Sequence, residues 1–526
     1  MSRNLAFLYR KLRTICNLSS WIRHLWLTII KHESLTFTLY GMTIDSGAYP
    51  NTAYGELNGC PMGSSLGDDK KRTEIAIIGA GLVGSLCAIY LARHGYRVDI
   101  YEARKDPRLV KTVSQRSINL ALSHRGIAAL AVVGCDEQLL EDSVAMSARY
   151  IHARNRQTYS MQYGTNGECI YSVERRKVNE FLLNVAESYM NVTFHFEHKL
   201  RSADLDCASF ICTSPDGSAL RVNADLLVGC DGAFSALRRE MMARTRFDYS
   251  QAYIPHWYKE ISLPPRPDGE PHIEPSYLHI WPRTSFMMIA QANKDNSFTC
   301  TLFAPYEHFE RINTKEDVLG FFNSEFPDFM DHLEEDHLLR EYFGNPVGSM
   351  VTIKCSPYHY KDKAVILGDA AHAMVPFYAQ GMNCGFEDCL VLDELLVKHK
   401  KDIGAALSEY TSVRNPDGKA ICDLAMYNYT EMRSSVTSKI FIWRRTLYLL
   451  LHKCFPRLLL PLYTMVNYTK SDSISLVTFS RIPYHEVIIR TRRQDRIVNI
   501  LMLSLLAAGT LGLMAAFKRM ARFLAL

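Results

Sequence analysis

The chain has 526 residues, of which 48% are hydrophobic and 22% charged, so it can bury a large core and is neither a disordered chain nor a small disulfide-stapled module. Its net charge of +5 is concentrated at the ends: residues 1–32 carry six Lys and Arg without an acidic residue, and residues 490–526 carry seven against Asp495. The net acidic remainder argues against a nucleic-acid-binding domain. Fourteen cysteines lack CxxC pairs or zinc-site spacing, which predicts reduced thiols and neither disulfides nor a bound metal.

Residues 1–72 form an N-terminal extension whose role the sequence leaves open. Residues 1–32 have the basic, acid-poor composition of a transit peptide, whereas the stretch from Ser46 to Asp69 is rich in Gly, Ser and Asn, as linkers are. Met42 and Met62 also permit shorter products by later initiation. We expect this extension to be a targeting segment or a disordered one.

A dinucleotide-binding fingerprint follows over Glu74–Gly84, EIAIIGAGLVG. A short apolar strand leads into Gly79-x-Gly81-x-x-Gly84, and a helical pattern comes next. Gly79 makes the tight turn, Gly81 lets the backbone approach a pyrophosphate, and Gly84 permits close helix–strand packing. A second predicted strand ends at Glu102, whose carboxylate can accept hydrogen bonds from a ribose diol.

A distant segment that begins at Ala364 favours FAD over NAD as the bound dinucleotide, and a third segment lies between it and the fingerprint. Asp225–Arg238 reads as strand, turn and helix around Asp231-Gly232. Ala364–Leu367 is another short apolar strand, followed by Gly368-Asp369 and, after a loop, a helical pattern from Gly385 to Lys398. An Asp at a strand end can bind the ribityl hydroxyls of a flavin, and a glycine-rich turn offers N–H groups to its pyrimidine edge.

These segments predict an α/β protein with a Rossmann-like FAD-binding domain built from residues 73–245 and 356–400. Alternating apolar residues predict an antiparallel substrate-domain sheet over 247–355, joined by strands from within 145–175. Helices over 401–490 should close the site.

The C-terminal segment 497–517 has 21 residues without a charge and basic flanks on both sides. As a helix it would span about 31 Å, which matches the hydrocarbon core of a bilayer. We predict a transmembrane anchor, with a buried core helix as the alternative. The basic flanks favour the mitochondrial outer membrane, with the catalytic domain facing the cytosol.

The three nucleotide segments, in their order and spacing, resemble the FAD-dependent aromatic hydroxylases of the p-hydroxybenzoate hydroxylase type. Within that family, several other segments resemble the branch that hydroxylates L-kynurenine in tryptophan catabolism. They include Arg116–Gly126 (RSINLALSHRG), Arg246–His256 (RFDYSQAYIPH), Tyr277–Pro282 (YLHIWP), Phe298–Phe303 (FTCTLF), Gly381–Leu390 (GMNCGFEDCL), Met426–Arg433 (MYNYTEMR), Pro461–Val466 (PLYTMV) and Thr478–Glu486 (TFSRIPYHE). The resemblance covers about residues 73–517, including a C-terminal membrane anchor.

The resemblance implies that L-kynurenine, NADPH and O₂ give 3-hydroxy-L-kynurenine, water and NADP⁺ through a flavin C4a-hydroperoxide. With only one GxGxxG motif, NADPH is expected to visit transiently while FAD stays bound. Arg149 matches the position that pairs with the substrate carboxylate, and Tyr163, Asn428 and Tyr463 match further substrate contacts. Beside the three fingerprint glycines, the implied FAD contacts are Val83, Tyr101, Glu102, Ala103, Arg104, Ala121, Arg175, Leu200, Asp369, Met382 and Asn383.

Two polar residues in the segment that begins at Ala364, here called the second flavin segment, are candidates for a role in catalysis. Gln380 lies where the loop should pass the flavin ring, so it either hydrogen-bonds substrate or peroxide, as a candidate catalytic residue, or caps the following helix. His372 resembles a general base, but hydroxylation of an electron-rich aniline needs no strong base, and we assign it to packing. Cys384 stands where the family usually has Ala or a similar small residue, a departure that we expect to matter little.

Two other functions remain open at this level. The first alternative is a related flavoenzyme with a lipid substrate. Such a substrate would explain the membrane anchor, but its binding would not need Arg149. The WxWxIP signature of halogenases is absent. A membrane-tethered flavin scaffold without catalysis is the second alternative, although every flavin motif is intact.

Overall fold

The computed structural model describes residues 73–110, 119–163, 167–433 and 476–524. The predicted extension 1–72 lies outside them. The described strands are β1 (Glu74–Ile78), β2 (Arg97–Glu102), β3 (Asn119–Leu122), β4 (Val144–Met146), β5 (Ala148–His152), β6 (Thr158–Gln162), β7 (Ile170–Glu174), β8 (Val192–Phe196), β9 (Lys199–Asp204), β10 (Ser209–Thr213), β11 (Ala219–Asn223), β12 (Leu226–Gly229), β13 (Asp248–Leu263), β14 (Tyr277–Arg283), β15 (Phe286–Ala292), β16 (Phe298–Pro305), β17 (Val347–Ser356), β18 (His359–Tyr360) and β19 (Ala364–Ile366).

The described helices follow the same chain order. They are α1 (Leu82–Arg93), α2 (His124–Val132), α3 (Asp136–Glu141), α4 (Arg175–Glu187), α5 (Ala236–Arg244), α6 (Tyr306–Arg311), α7 (Lys315–Glu325), α8 (Pro327–Met330), α9 (Glu335–Gly344), α10 (Asp369–His372), α11 (Gly381–Lys398), α12 (Ile403–Arg433), α13 (Leu476–Phe479) and α14 (Tyr484–Leu524), with a 3₁₀ turn at Pro376–Tyr378.

A six-stranded sheet, in the order β18-β19-β12-β1-β2-β8, holds the dinucleotide-binding half of the chain. Its strands are parallel except for β18, which runs antiparallel to β19. The central strands are buried and therefore almost purely apolar, as in β12, LLVG. Because β1, β2, β12 and β19 are parallel, the turns that follow them meet at one edge of the sheet, where the sequence predicts FAD.

A seven-stranded sheet, in the order β17-β13-β16-β15-β14-β5-β6, forms the second half. β5 and β6 join it from the segment 145–175, as expected. The prediction of a wholly antiparallel sheet is wrong at one pairing, because β14 and β5 are parallel. More than 120 residues separate these two strands, and a connection of that length can return the chain in the same direction.

Helices also interrupt the predicted substrate sheet. α6 to α9 lie between β16 and β17, where the sequence analysis expected strands alone. Their phenylalanines, including Phe322, Phe326 and Phe329, are buried in one cluster with Trp281 and Phe298 of the sheet. The helices therefore cover one face of the sheet and leave the other face to the candidate site.

The described residues of the predicted helical region 401–490 are mostly helical, and residues 434–475 of that region lie outside the described part of the chain. α12 packs on α11 and α14. Within the described residues, no helix meets the length and apolarity that crossing a membrane requires. The span over 497–517 thus stays a prediction, and several of its side chains lie outside the described part of the chain.

Candidate functional site

The turn after β1 has the geometry that the fingerprint predicts. Gly79 has φ +103°, and a Cβ added there would lie 2.5 Å from the Cys230 carbonyl oxygen. A Cβ on Gly84 would lie 1.9 Å from the Gly79 oxygen, so helix α1 can approach the turn only because both residues lack side chains. At Gly81, by contrast, an added Cβ would meet nothing within 4 Å. The space beside Gly81 is open, as a bound pyrophosphate requires.

Glu102 is fixed at the end of β2, next to this turn. It is buried, and its carboxylate accepts hydrogen bonds from the Ala80 N–H at 2.9 Å and from the Arg104 Nε at 2.8 Å. Burial opposes ionisation, but Arg104 and the backbone donors together lower the pKa of Glu102. The carboxylate is therefore ionised and held where a ribose diol can donate to it.

Three other predicted contacts lie around Glu102. Tyr101 is buried and stacks on His195 with ring centroids 4.5 Å apart, whereas Ala103 is exposed. The chain before Leu200 runs beside this strand end, since the His198 N–H donates to the Glu102 carbonyl oxygen at 2.8 Å. The structure thus brings these residues together around the predicted adenosine end of FAD.

The second flavin segment packs directly against the fingerprint through Val83. A Cβ on Gly368 would lie 2.9 Å from the Val83 Cγ2, and one on Gly385 would lie 2.6 Å from it. Asp369, which follows Gly368 in a stretch of buried residues, is itself exposed. An exposed carboxylate at this sheet edge fits the predicted contact with the ribityl hydroxyls.

Asn383 joins the start of α11 to strand β3. Its Nδ2 donates to the Ala121 carbonyl oxygen at 2.8 Å, and its Oδ1 accepts from the Ser123 N–H at 2.8 Å. Met382, the preceding residue, is also buried. Arg175 follows β7, which pairs with β3, and its side chain is exposed. These predicted contacts therefore share one neighbourhood, and the donor and acceptor groups around both turns fit FAD.

The predicted substrate contacts Arg149 and Tyr163 lie side by side. Both are buried, at 7% and 0% exposure, on the face of the seven-stranded sheet turned away from α6–α9. Burial raises the pKa of Tyr163 to about 12, and the adjacent Arg149 guanidinium limits the rise. The arrangement places a buried cation beside a neutral phenol, which suits recognition of a carboxylate.

An apolar cluster connects this pair to residues 373–380, the connection between α10 and α11 that we call the flavin loop. Tyr163 belongs to one buried cluster with Phe303 of the sheet, Phe377 of the loop and Tyr429 of α12. The Phe377 and Tyr429 rings stack with centroids 4.2 Å apart. These side chains surround the candidate site with a dry, aromatic environment of the kind that a flat aromatic substrate requires.

Asn428, a further predicted substrate contact, is held by the same loop. It is buried, and its Nδ2 donates to the Phe377 carbonyl oxygen at 2.7 Å. α12 is thereby attached to the loop that precedes α11. Tyr463 lies outside the described residues.

Gln380 directly precedes α11, but its side chain makes no helix-capping hydrogen bond. Instead its Oε1 accepts from the Tyr484 hydroxyl at 2.9 Å, and its Nε2 lies 3.4 Å from the Ser123 Oγ. Of the two interpretations of Gln380, capping receives no support from this geometry. The catalytic role stays a prediction.

A buried ion network behind the flavin loop was missed by the sequence analysis. Arg125 donates to both oxygens of Glu387, and Arg414 donates to Glu387 and Asp388. His372 bonds the other Asp388 oxygen at 2.6 Å. The RSINLALSHRG and GMNCGFEDCL segments contain Arg125, Glu387 and Asp388, so a signal was present, but sequence spacing did not show that these residues pair.

His372 has a structural role in this network. Burial opposes its charged form, yet the Asp388 carboxylate raises the pKa of His372 well above its usual value. Asp388 has its own pKa lowered to about 2, since His372 and Arg414 outweigh burial. Both the bond to Asp388 and the raised pKa favour the protonated form of His372, in line with its assignment to packing. Arg414 also donates to the Cys384 Sγ at 3.2 Å, which gives Cys384 a polar contact that the sequence did not suggest.

Comparison with known proteins agrees with this geometry. Residues 72–425 match the family described as FAD binding domain. Among solved structures, 2-methyl-3-hydroxypyridine-5-carboxylic acid oxygenase is similar with a TM-score of 0.58 and 20% identity, over 70% of this chain and 94% of that chain. PqsL from P. aeruginosa, in complex with 2-aminobenzoylacetate, has a TM-score of 0.57 and 16% identity, over 69% and 96%. The fold and the site therefore define an FAD-binding flavoprotein with the fold of these oxygenases.

Curated relatives identify the family within this class of flavoproteins. Kynurenine 3-monooxygenase from Sus scrofa is 45% identical over 82% of this chain and 89% of its own length, and the Caenorhabditis elegans enzyme of that name is 44% identical over 84% and 96%. The chain belongs to the kynurenine 3-monooxygenase family.

Proposed function

We propose that this protein is an NADPH-dependent flavoprotein monooxygenase that hydroxylates L-kynurenine to 3-hydroxy-L-kynurenine. The observation that carries the proposal is the buried Arg149 beside Tyr163, in an apolar cluster that reaches the flavin loop. A buried guanidinium selects a carboxylate, and the aromatic surroundings suit the aryl ring of the same substrate. A lipid substrate would use neither Arg149 nor Tyr163.

Bound FAD supplies the acceptance of hydride from NADPH and the activation of O₂. The protein's own contribution is placement: Arg149 would hold the substrate carboxylate and thereby orient the aryl ring within the apolar cluster that reaches the flavin loop. Phe303, Phe377 and Tyr429 exclude water from this space, which favours oxygen transfer over loss of the oxygen as hydrogen peroxide. The ring proton lost on rearomatisation needs no strong base, and the site residues described above offer none.

Replacement of Arg149 by Ala tests the carboxylate contact. The wild type should prefer L-kynurenine over kynuramine, which has the same aryl ketone without the carboxylate. Arg149→Ala should weaken the binding of L-kynurenine by about 2–5 kcal/mol, because the buried carboxylate loses its partner. The KM for L-kynurenine should rise accordingly. The two compounds should then be used almost equally well.

Arg154→Ala is the matched control, since Arg154 is exposed on the surface and pairs with Glu325. It should leave the preference for L-kynurenine unchanged. If Arg149→Ala keeps the wild-type preference, Arg149 does not bind the carboxylate.

We further propose that 497–517 anchors the protein in the mitochondrial outer membrane, with the catalytic part facing the cytosol. The segment carries no charge, and Arg490, Arg492 and Arg493 precede it. The exposed side chains described in α14 include the large apolar Ile500, Leu511 and Met514, which supports burial against another apolar phase. Lipid is the phase that the flanking basic residues favour.

A further inference from the structure

The C-terminal helix α14 contacts the flavin loop through a hydrogen bond from its first residue. Tyr484, the first residue of α14, is completely buried and donates its hydroxyl to the Gln380 Oε1 at 2.9 Å. Gln380 is also buried, at 1% exposure. A residue more than 100 positions away in the sequence thus controls how the Gln380 amide is oriented.

Tyr484 is held rigidly in this position. The Arg125 guanidinium lies over its ring, 3.9 Å from the ring centroid. Arg125 also donates to the carbonyl oxygens of Val477 and Ile482 and forms the bidentate pair with Glu387. A rotation of the phenol away from Gln380 would therefore break both its hydrogen bond to Gln380 and its contact with the Arg125 guanidinium.

The next residue anchors the same turn of the helix. His485 bonds Asp417 of α12 through both its ring Nδ1 and its backbone N–H. The start of α14 is therefore attached to α2 through Arg125 and to α12 through His485. These contacts, on Tyr484 itself and on the next residue, hold the Tyr484 ring in place.

The direction of the hydrogen bond fixes which end of the Gln380 amide faces which neighbour. The Tyr484 hydroxyl donates to the Gln380 Oε1, so the Gln380 carbonyl oxygen points at Tyr484. Burial raises the pKa of Tyr484 well above its usual value, which keeps the proton on this donor. The amide nitrogen points toward Ser123, which adjoins Asn383 and the predicted FAD contact Ala121.

We propose that Tyr484 is a positioning residue for hydroxylation, which orients the Gln380 amide so that its N–H₂ group rather than its oxygen faces the flavin side of the loop. This inference rests on the proposed function. An amide free to flip would present its oxygen there in part of the molecules. In these, NADPH, a proton and O₂ would give NADP⁺ and hydrogen peroxide without a hydroxylated product.

The experiment measures 3-hydroxy-L-kynurenine and hydrogen peroxide formed per NADPH oxidised in the FAD-loaded full chain. Tyr484→Phe removes only the hydroxyl and should lower product per NADPH roughly three- to tenfold, the value of one buried hydrogen bond. KM for L-kynurenine and the Tm should change no more than in Tyr410→Phe. Tyr410 is an equally buried tyrosine whose hydroxyl has no hydrogen-bond partner among the described residues.

Gln380→Leu and the double variant separate the possible causes. If Tyr484 acts through Gln380, Gln380→Leu lowers product per NADPH and Tyr484→Phe adds nothing to it. A double variant that falls further by the full factor of Tyr484→Phe would overturn the proposal. So would wild-type stoichiometry in Tyr484→Phe while Gln380→Leu is impaired, and the proposed function would stand. Wild-type stoichiometry in Gln380→Leu would instead remove Gln380 from the reaction, and the positioning role with it.

Discussion

At the scale of single residues, Gly81 offers the sharpest test of FAD binding. Its φ of −76° is open to any residue, and a Cβ there meets no protein atom within 4 Å. Gly81→Val should therefore fold normally but project its side chain into the space of the pyrophosphate. We expect the purified variant to lose most of its flavin absorbance at an unchanged Tm of the apoprotein.

Gly320→Val is the matched control, because Gly320 is exposed in α7 and its Cβ would also meet open space. It should retain FAD at the wild-type stoichiometry. A fully flavin-loaded Gly81→Val would contradict the assignment of the phosphate turn.

Glu260 provides a pH-dependent prediction. Its burial, together with the nearby Glu341, raises the pKa of Glu260 to about 7, against the opposing charge of Arg175. A carboxyl whose pKa is higher in the folded than in the unfolded state costs stability as the pH rises from about 4.5 to 7. Relative to the wild type, Glu260→Gln should gain about 3 kcal/mol in the free energy of unfolding between pH 4.5 and pH 8.

Urea unfolding at both pH values checks this, with Glu270→Gln as the control at an exposed glutamate of the same region. The control difference should be the same at both pH values. An equally constant difference for Glu260→Gln would show that the carboxyl is not perturbed.

At the scale of elements, the best-predicted strands are those whose own residues and flanking glycines determine their conformation. β1 and β19 were predicted within about a residue, and β12 was predicted as the strand that opens the segment 225–238, because a short apolar run bounded by glycine favours a buried strand and turn. α11 begins four residues before the predicted Gly385. The glycines and polar residues at its start have no helical signal of their own and are ordered by contacts such as those of Asn383.

Elements fixed by distant partners were not predictable in this way. The parallel pairing of β5 with β14 depends on which strands meet in space, and α6–α9 fold against a sheet face that the sequence does not identify. The contacts of the candidate site were not predictable from local sequence either. Arg149 and Tyr163 were named only through a family resemblance, and the contact of Tyr484 with Gln380 joins two segments that no spacing relates.

Two truncations of the C-terminal region separate anchoring from catalysis. A chain ending at Asn499 keeps Tyr484, the buried Val498 and His485, which bonds Asp417 of α12. It should move from the membrane pellet to the supernatant with wild-type product per NADPH. A chain ending at residue 475 lacks Tyr484 and should lose this stoichiometry.

Sedimentation after membrane isolation and the product assay measure the two effects. If the chain ending at Asn499 stays in the pellet, 497–517 is not the sole anchor. If the chain ending at 475 hydroxylates with wild-type stoichiometry, α13 and α14 have no part in the site.

At the scale of the whole molecule, three parts meet at one place. The six-stranded sheet supplies the FAD turns, the seven-stranded sheet supplies Arg149 and the apolar cluster, and α12 with α14 closes the loop between them. The buried network around Arg125, Glu387 and Arg414 joins α2, α11 and α12 to the start of the C-terminal helical segment. Because loss of one partner would leave a buried charge unpaired, the network holds these helices in one arrangement. Under the proposed function, hydroxylation of L-kynurenine depends on the flavin turns, on the buried Arg149 and on the apolar cluster that contains Tyr163.

The most direct measurement follows NADPH oxidation in air by the full-length, FAD-loaded protein in isolated membranes, with and without L-kynurenine. We predict that L-kynurenine stimulates the oxidation and that the product is 16 mass units heavier and co-elutes with 3-hydroxy-L-kynurenine. Oxidation that L-kynurenine does not change, in a protein with FAD bound, would leave the flavoprotein fold in place and contradict the proposed substrate.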